Sequence, residues 1–314
     1  MKVTIAIPHF RSEESLGFLL HSLNKQRTKL DTKKEVEIII VNDEEKNISI
    51  SDNFERLNLK IISQKHQGPA VARNTALREA GGEFIFYLDS DSIPRIDWLE
   101  NLYSAFIKNS RVDSIGGRVI PSERRGYANE HFNLVNDLEK PKMKKDTSEI
   151  VSIITANCGF KTAALRSIGG FNEDAFRFVF PGGEDMDVSY RLMSKNCHFA
   201  YEPSAIVEHF YPQGILSFVK KYKNYGVGLR RHIEFNNINP GVINQPPLSP
   251  YFFLPYFFRM PLSLGKFVKK MCQNQSFIKI LMHSFFFSIR YISFGYGYFI
   301  KGKYNPKFNN EFKN

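Results

Sequence analysis

Cysteine is scarce in this chain. Cys158, Cys197 and Cys272 are spread over 314 residues and form no CxxC pair. That argues against a disulfide framework or a thiolate zinc site, and for a reducing compartment. No secretory leader is expected either. Met1-Lys2 runs straight into Val3-Thr4-Ile5-Ala6-Ile7-Pro8, too short an apolar run for a secretory signal. There is no internal repeat. Acids are nearly missing from the last third: Ile215–Asn314 holds 15 Lys and Arg against Glu234 and Glu311, a charge of +13 in a chain whose total is +11. So lopsided a distribution points to an anionic partner surface, either membrane or nucleic acid.

What the chain does have is alternation of strand-like and helix-like segments. With 42% hydrophobic and 24% charged residues it can bury a sizeable core. Strands are expected at Val3–Pro8, Val36–Val41, Leu59–Ile62, Phe84–Leu88, Ile115–Ile120 and Ala205–His209. Between them, Leu16, Leu19, Leu20 and Leu23 recur at helical spacing behind the candidate caps Ser12 and Ser15. Gly68-Pro69 opens a helix over about 70–80, and Pro94–Ile107 reads as another, with Trp98, Leu99, Leu102 and Phe106 on one face. Val151–Thr155 returns to the core. Glu184-Asp185 opens a helix towards Met193. The alternation predicts an α/β fold with a mostly parallel, Rossmann-like sheet flanked by helices over 1–235. The charged stretch Arg124–Glu149, with Lys140–Lys145 inside it, reads as surface. Leu216–Gly226 reads as a basic amphipathic helix, and Asn236–Pro250 as a linker into a helical, aromatic-rich, basic region over 236–314.

The chain is organised around Glu83-Phe84-Ile85-Phe86-Tyr87-Leu88-Asp89-Ser90-Asp91-Ser92. A buried strand ends there in two acids one residue apart. Ligands of such sheets bind beyond the carboxyl ends of the strands, and hard carboxylate oxygens suit Mg²⁺ or Mn²⁺. Alone, Asp89-Ser90-Asp91 is no more than a polar turn.

Its company gives it meaning. Ile7-Pro8-His9-Phe10, Val41-Asn42-Asp43-Glu44-Glu45, Gln67-Gly68-Pro69-Ala70-Val71-Ala72-Arg73-Asn74, Asp89-Ser90-Asp91, Asn157-Cys158-Gly159-Phe160, Gly169-Gly170-Phe171-Asn172-Glu173, Gly183-Glu184-Asp185-Met186-Asp187 and Glu208-His209-Phe210 follow one another in order. Together they resemble the family-2 glycosyltransferases, inverting enzymes of the GT-A fold, over roughly residues 3–230. The resemblance implies a nucleotide-sugar donor, most simply a UDP-sugar, and a glycan or lipid-linked glycan acceptor. Donor binding would fall to Pro8, Phe10, Asp43, Gly68, Arg73, Asp89 and Ser90. Asp91, Asp89 and His209 would hold Mn²⁺ or Mg²⁺, with the imidazole favouring Mn²⁺. Asp185 would be the general base that takes the acceptor hydroxyl proton, and Glu184 would orient acceptor or loop. Asn42 stands where the family has its first acid, and Asp187 reads as structural.

Two rivals remain at this level. A sugar-phosphate nucleotidyltransferase shares the nucleotide-binding sheet and the metal, but Pro8-His9-Phe10-Arg11-Ser12 lacks the glycine-rich phosphate loop that class carries after its first strand. A nucleic-acid-binding protein, or a relative that binds donor without catalysis, is the non-enzymatic rival. Aromatics do interleave with Lys in the last third, but with no binding motif, so no nucleic acid partner is expected. The segment Ile280–Ile300 approaches membrane-span length but carries Arg290 at its centre, which on lenient scales costs about 2.5–3.5 kcal/mol. Interfacial helices on an anionic membrane, with Lys266, Lys269, Lys270 and Lys279 towards headgroups, are therefore expected ahead of a true span. That would make the protein cytoplasmic and peripheral on the inner face of the cell membrane. An ordinary packed subdomain is the alternative.

Overall fold

Strands buried on both faces must be largely apolar, and the first two segments are. In the computed structural model, β1 (Val3–His9) and β2 (Val36–Asn42) are buried almost throughout and pair in parallel, from Val3 with Val36 to His9 with Asn42. Residues 1–11, 13–46, 48, 50, 54–121, 128, 130–131, 134, 142–143, 150–177, 182–210, 214–238, 260–271 and 276–301 are described. The expected cap Ser12, most of the Lys140–Lys145 run, residues 239–250 of the expected linker, Lys270 and Cys272 lie outside the described residues or side chains.

The chain divides into two units. The first comprises 1–122, 137–178 and 185–210, the second 123–136, 179–184 and 211–314. The sequence boundary after 235 falls inside the second, at the end of a helix.

The first unit is an eight-stranded sheet in the order β3-β2-β1-β4-β9-β6-β10-β5. Here β3 is Leu59–Ser63, β4 Phe84–Leu88, β5 Ser92–Pro94, β6 Ser114–Pro121, β9 Asn157–Lys161 and β10 Phe199–His209. A two-stranded ribbon of β7 (Lys142–Met143) and β8 (Ile150–Ser152) stands apart. β3, β2, β1 and β4 are mutually parallel, as are β6 and β10; β9 runs against both its neighbours, and β5 against β10. The sheet is thus mostly parallel, as expected. From β1 the chain builds outward through β2 and β3, then returns to place β4 on the other side of β1. That reversal creates a crevice at the carboxyl ends of β1 and β4, the usual ligand position of open α/β sheets. Leu16, Leu19, Leu20 and Leu23 of helix α1 (Glu13–Asn24) bury one face with Val3, Ile5 and Ile7, and Trp98, Leu99, Leu102 and Phe106 of helix α3 (Trp98–Lys108) join the same core. Each such side chain contributes about 1.5–3 kcal/mol on burial.

Three elements differ from expectation. Pro94 ends a strand instead of opening a helix: β5 is an edge strand, where proline's missing N–H costs nothing, and α3 begins at Trp98. Ser152, Ile153 and Thr155 are buried, as expected after the charged stretch, but they are followed by an unexpected core strand, Asn157–Lys161, because its antiparallel pairing with Phe84–Leu88 is a long-range event that local pattern does not encode. In the second unit the helix expected over Leu216–Gly226 runs from Ile215 to Phe235. Its glycine is a packing device: a Cβ on Gly226 would lie 2.1 Å from Phe294 O, and one on Gly297 1.9 Å from Lys223 O. Backbone therefore meets backbone where this helix passes the helix Phe277–Tyr296. The second unit also contains the helix Met260–Met271 and ends its described part in a π-turn, Gly297–Lys301.

Candidate active site

The strand tips carry the site. Because His9 and Asn42 end β1 and β2 at one level, Phe10 and Asp43 leave the sheet side by side, with Asp43 N donating to His9 O at 2.8 Å. Pro8 is half-buried in β1 just below them. Asn42 explains itself here. Its Nδ2 donates to Glu44 O at 3.1 Å and to Lys46 O at 2.5 Å. A carboxylate at that position could donate to neither, so the departure from the family pattern pins the loop that follows.

Asp43 is 3% exposed. Its Oδ1 accepts from Gln64 Nε2 at 2.7 Å and Gln67 N at 2.9 Å; its Oδ2 accepts from Gly68 N at 2.7 Å and lies 2.8 Å from His66 Nδ1. The carboxylate thus ties the tip of β2 to the entry of helix α2 (Pro69–Glu79). Gly68 sits there at φ 95°, a conformation open to glycine, with Pro69 in the first helical turn. The His66 ring stacks on Phe10, centroids 4.3 Å apart and 20° between planes, and the Arg11 guanidinium lies 4.7 Å from the Phe10 centroid. His66 was not legible as a site residue. Its only signal was an aromatic ring two residues before a helix-opening glycine.

Arg73 is not on the surface of α2. It is 2% exposed, with Nη2 2.9 Å from Asp89 Oδ1 and its guanidinium 5.5 Å from the Phe171 centroid, while Tyr87 Oη donates to its carbonyl. A helix charge reaching out to a ligand would be exposed; this one acts from beneath Asp89. Its neighbour Asn74 brackets Phe171, donating to its carbonyl and accepting from its N–H, both at 2.8 Å.

Asp89, Ser90 and Asp91 follow directly on β4. The chain then turns through the Ser92 N–H to Asp89 O bond into β5, where Ser92 pairs with His209 of β10. Phe210 N donates to Asp91 O at 3.2 Å. This pairing brings a residue 118 positions later onto the two acids. His209 Nε2 is 3.3 Å from Asp91 Oδ1 and 3.5 Å from Asp89 Oδ2, and one ligand atom from each of the three lies within 4.8 Å of the others. Asp91 is the most open of the three and His209 nearly buried. Burial pushes the Asp89 carboxyl up, but the hydrogen bond to His209 and the charge of Arg73 outweigh it and hold the group well below the usual carboxylate range. Two carboxylates with an imidazole suit a divalent cation of the Mn²⁺ or Mg²⁺ kind.

Asp185 lies in the first turn of the helix Glu184–Met193, half-buried, with Oδ1 2.8 Å from Met186 N. The buried Cys158 thiol on β9 feels the charges of both Asp185 and Asp89. Burial pushes that thiol up, Arg73 opposes, and the charges of both Asp89 and Asp185 raise it further. Glu184 is buried and its Oε2 accepts from Gly182 N at 2.7 Å, so it shapes the turn before the helix. Asp187 is fully buried against Arg191, 2.7 Å away, whose other nitrogens reach Ile168 O and Gly170 O. Asn157, quoted above within an acceptor-side segment, is framework: it accepts from Trp98 Nε1 at 2.8 Å and donates to Arg118 O and Ala205 O.

The chain resembles known proteins in sequence and in fold. The family model for Glycosyl transferase family 2 matches residues 4–169. A pre-mycofactocin glycosyltransferase of Mycobacterium tuberculosis is 29% identical over 235 residues, covering 71% of this chain and 46% of that protein. The poly(ribitol-phosphate) beta-N-acetylglucosaminyltransferase TarS of Staphylococcus aureus is 28% identical over 171 residues, covering 53% of this chain and 28% of that one. The chain therefore spans less than half the length of either relative. Among solved structures, a mannosyltransferase from Pyrobaculum calidifontis superposes with TM-score 0.59 at 14% identity, covering 94% of this chain and 85% of that one. S. aureus TarS 1–349 superposes with TM-score 0.50 at 20% identity, covering 97% and 93%. These superpositions establish the GT-A fold. The family match spans more than half of the chain, including Asp43, Arg73, Asp89 and Asp91, and the chain belongs to glycosyl transferase family 2.

Proposed function

We propose that this protein is an inverting, metal-dependent glycosyltransferase. It would move a sugar from a nucleotide sugar, in the first instance a UDP-sugar, to a hydroxyl of a glycan or lipid-linked glycan. The observation that carries this reading is the Asp89–Asp91–His209 cluster beyond the carboxyl end of β4, beside the switch point of the sheet. Support also comes from relatives of the same fold: TarS was solved with UDP and with UDP-GlcNAc, and the P. calidifontis mannosyltransferase with GDP-Man and Mn²⁺.

The roles follow from placement. Pro8 and the Phe10–His66 stack offer the nucleobase a flat apolar seat, and Asp43 holds the loop around it through Gly68. Asp91, Asp89 and His209 would hold the cation, which when bound would neutralise charge on the leaving diphosphate. Arg73 keeps Asp89 ionised and aimed, and Ser90, between the two acids, would contact the donor. Asp185 takes the proton of the acceptor hydroxyl as that oxygen bonds to the anomeric carbon. The bond from that carbon to the diphosphate oxygen breaks on the opposite face, its electron pair leaves with the diphosphate, and configuration inverts. Glu184 keeps the turn before Asp185 in shape.

The test is transfer from a panel of UDP-sugars, with Mn²⁺, to polysaccharide and lipid-linked glycan acceptors, read as released UDP and as the anomeric configuration of the product by NMR. Inversion at the anomeric carbon supports the reading. A product with retained configuration, or new nucleotide sugar formed from a sugar phosphate, contradicts it.

A further inference from the structure

The helix Phe277–Tyr296 and the turn after it carry only two charges among the described side chains, and both face protein. Lys279 Nζ lies 2.8 Å from Glu130, and the Arg290 guanidinium sits 5.4 Å from the Tyr222 ring centroid on the helix Ile215–Phe235. The same side buries His283, Phe286 and Ser293. The opposite side is bare. Phe277, Leu281, Phe285, Ile292, Tyr296 and Ile300 recur mainly at fours and sevens, the repeat of one helical face, and each is between 40% and 73% exposed. No charged residue interrupts them. By length and composition the segment Phe277–Ile300 could cross a bilayer. Yet one flank is packed on protein with its charges engaged, so only the other is available to lipid. Such a helix lies in the interface with its apolar face down.

The flanking charge identifies the surface it meets. In the preceding helix Leu262 is 73% exposed, and Lys266 and Lys269 are exposed. The only acid between residues 215 and 301 is Glu234, and it accepts from Arg230 at 2.8 Å. A charge-free apolar stripe beside unopposed cations is complementary to anionic lipid, since each Lys near such a surface is attracted to it. We propose that the face of the helix Phe277–Tyr296 opposite Arg290 docks in an anionic lipid surface, with Lys266 and Lys269 at the headgroups. Lys279 is excluded from that role by its bond to Glu130. This inference stands on the second unit alone and does not depend on the transferase reading. If both hold, an enzyme kept at a lipid surface meets a lipid-linked acceptor at raised effective concentration.

The test is flotation of the whole chain with vesicles of phosphatidylglycerol and phosphatidylcholine, or of phosphatidylcholine alone, at low and high salt. Binding is expected to phosphatidylglycerol vesicles and to weaken with salt. The triple variant Leu281→Asp, Phe285→Asp, Ile292→Asp is expected to lose it, and Lys266→Glu with Lys269→Glu to reduce partitioning about fivefold or more per lysine. Unchanged far-UV circular dichroism and thermal midpoint establish that each variant is folded. Should the triple variant misfold, the two lysine changes and the single change Phe285→Ser are read instead. The proposal is overturned if the folded wild-type chain ignores both vesicles, if folded stripe variants float as well as the wild type, or if they only turn a dimer into a monomer. It is equally overturned if alkaline carbonate fails to release the chain, which would mean a span.

Discussion

Arg73 and Asp89 form an ion pair at the base of the strand-tip cluster: Nη2 to Oδ1 is 2.9 Å, and the guanidinium is almost wholly buried. Arg73→Met preserves volume and removes the charge. We expect a loss of stability of about 3 kcal/mol, the lower end for breaking a buried pair because Asp89 is partly exposed. The folded-state pKa of Asp89 is depressed, so its contribution is complete above about pH 4 and is lost as pH falls below that. In Arg73→Met the acid-dependent loss should be smaller, because the folded-state carboxyl moves back towards its unfolded value. Urea titrations from pH 3 to 7 read both effects; superimposable profiles would show that the pair does not stabilise the fold.

Asp185→Asn removes the proposed base with little change of shape. Turnover should fall by about 10²–10⁴, the usual worth of general base catalysis, with donor affinity unchanged. Steady-state kinetics with a working donor and acceptor decide it, and near-normal turnover takes Asp185 out of the mechanism.

Asn42→Asp restores the acid common in the family and should weaken this protein. Two donated bonds, to Glu44 O and Lys46 O, are lost, and a carboxylate is placed against carbonyl oxygens. The cost expected is about 1–3 kcal/mol. A thermal melt checks it, and a variant as stable as the wild type would mean that the loop does not depend on Asn42.

Acid should loosen the second unit through His131. Burial, with smaller contributions from His283 and Arg290, lowers this imidazole to about 3, and it lies among Phe218, Phe286 and His283. Between about pH 6.5 and pH 3 the unfolded chain holds a proton there that the folded chain refuses. The stability from neutral His131 is therefore complete above about 6.5 and declines as pH falls towards 3. His131→Phe keeps an aromatic ring and abolishes the proton, so its melting temperature should drop less than the wild type's between pH 7 and pH 5. Equal drops would place the acid sensitivity elsewhere.

The parts of the site legible in the sequence were those carried by local pattern. Phe84–Leu88 reads as a buried strand from its apolar run alone, which places Asp89 and Asp91 at the carboxyl end of the sheet. The antiparallel insertion of Asn157–Lys161 was hidden because its partners lie more than 40 residues away, and its short run carries no alternation of its own. The direction of Arg73 was hidden for a related reason: helical position gives a side chain's azimuth, but whether that side is covered depends on Asp89 and Phe171 arriving from elsewhere. His209 came out of motif order alone, and its distances to the acids follow from the Ser92–His209 pairing. The carboxylate of Asp43, expected to contact the donor, is engaged with the N–H groups of Gln67 and Gly68, which charge and spacing do not reveal, while Glu184 orients the turn before its helix, one of the two roles expected for it.

The central claim is that the strand-tip cluster binds a nucleoside diphosphate through a divalent cation. Thermal stabilisation tests it most directly, since a ligand that binds only the folded state raises the melting temperature. The account predicts that UDP with Mn²⁺ raises the midpoint, that chelator or Asp91→Ala abolishes the rise, and that His209→Ala weakens it more for Mn²⁺ than for Mg²⁺. No rise with any nucleoside diphosphate in Mn²⁺ or Mg²⁺, or a rise indifferent to chelator and to Asp91→Ala, would contradict it.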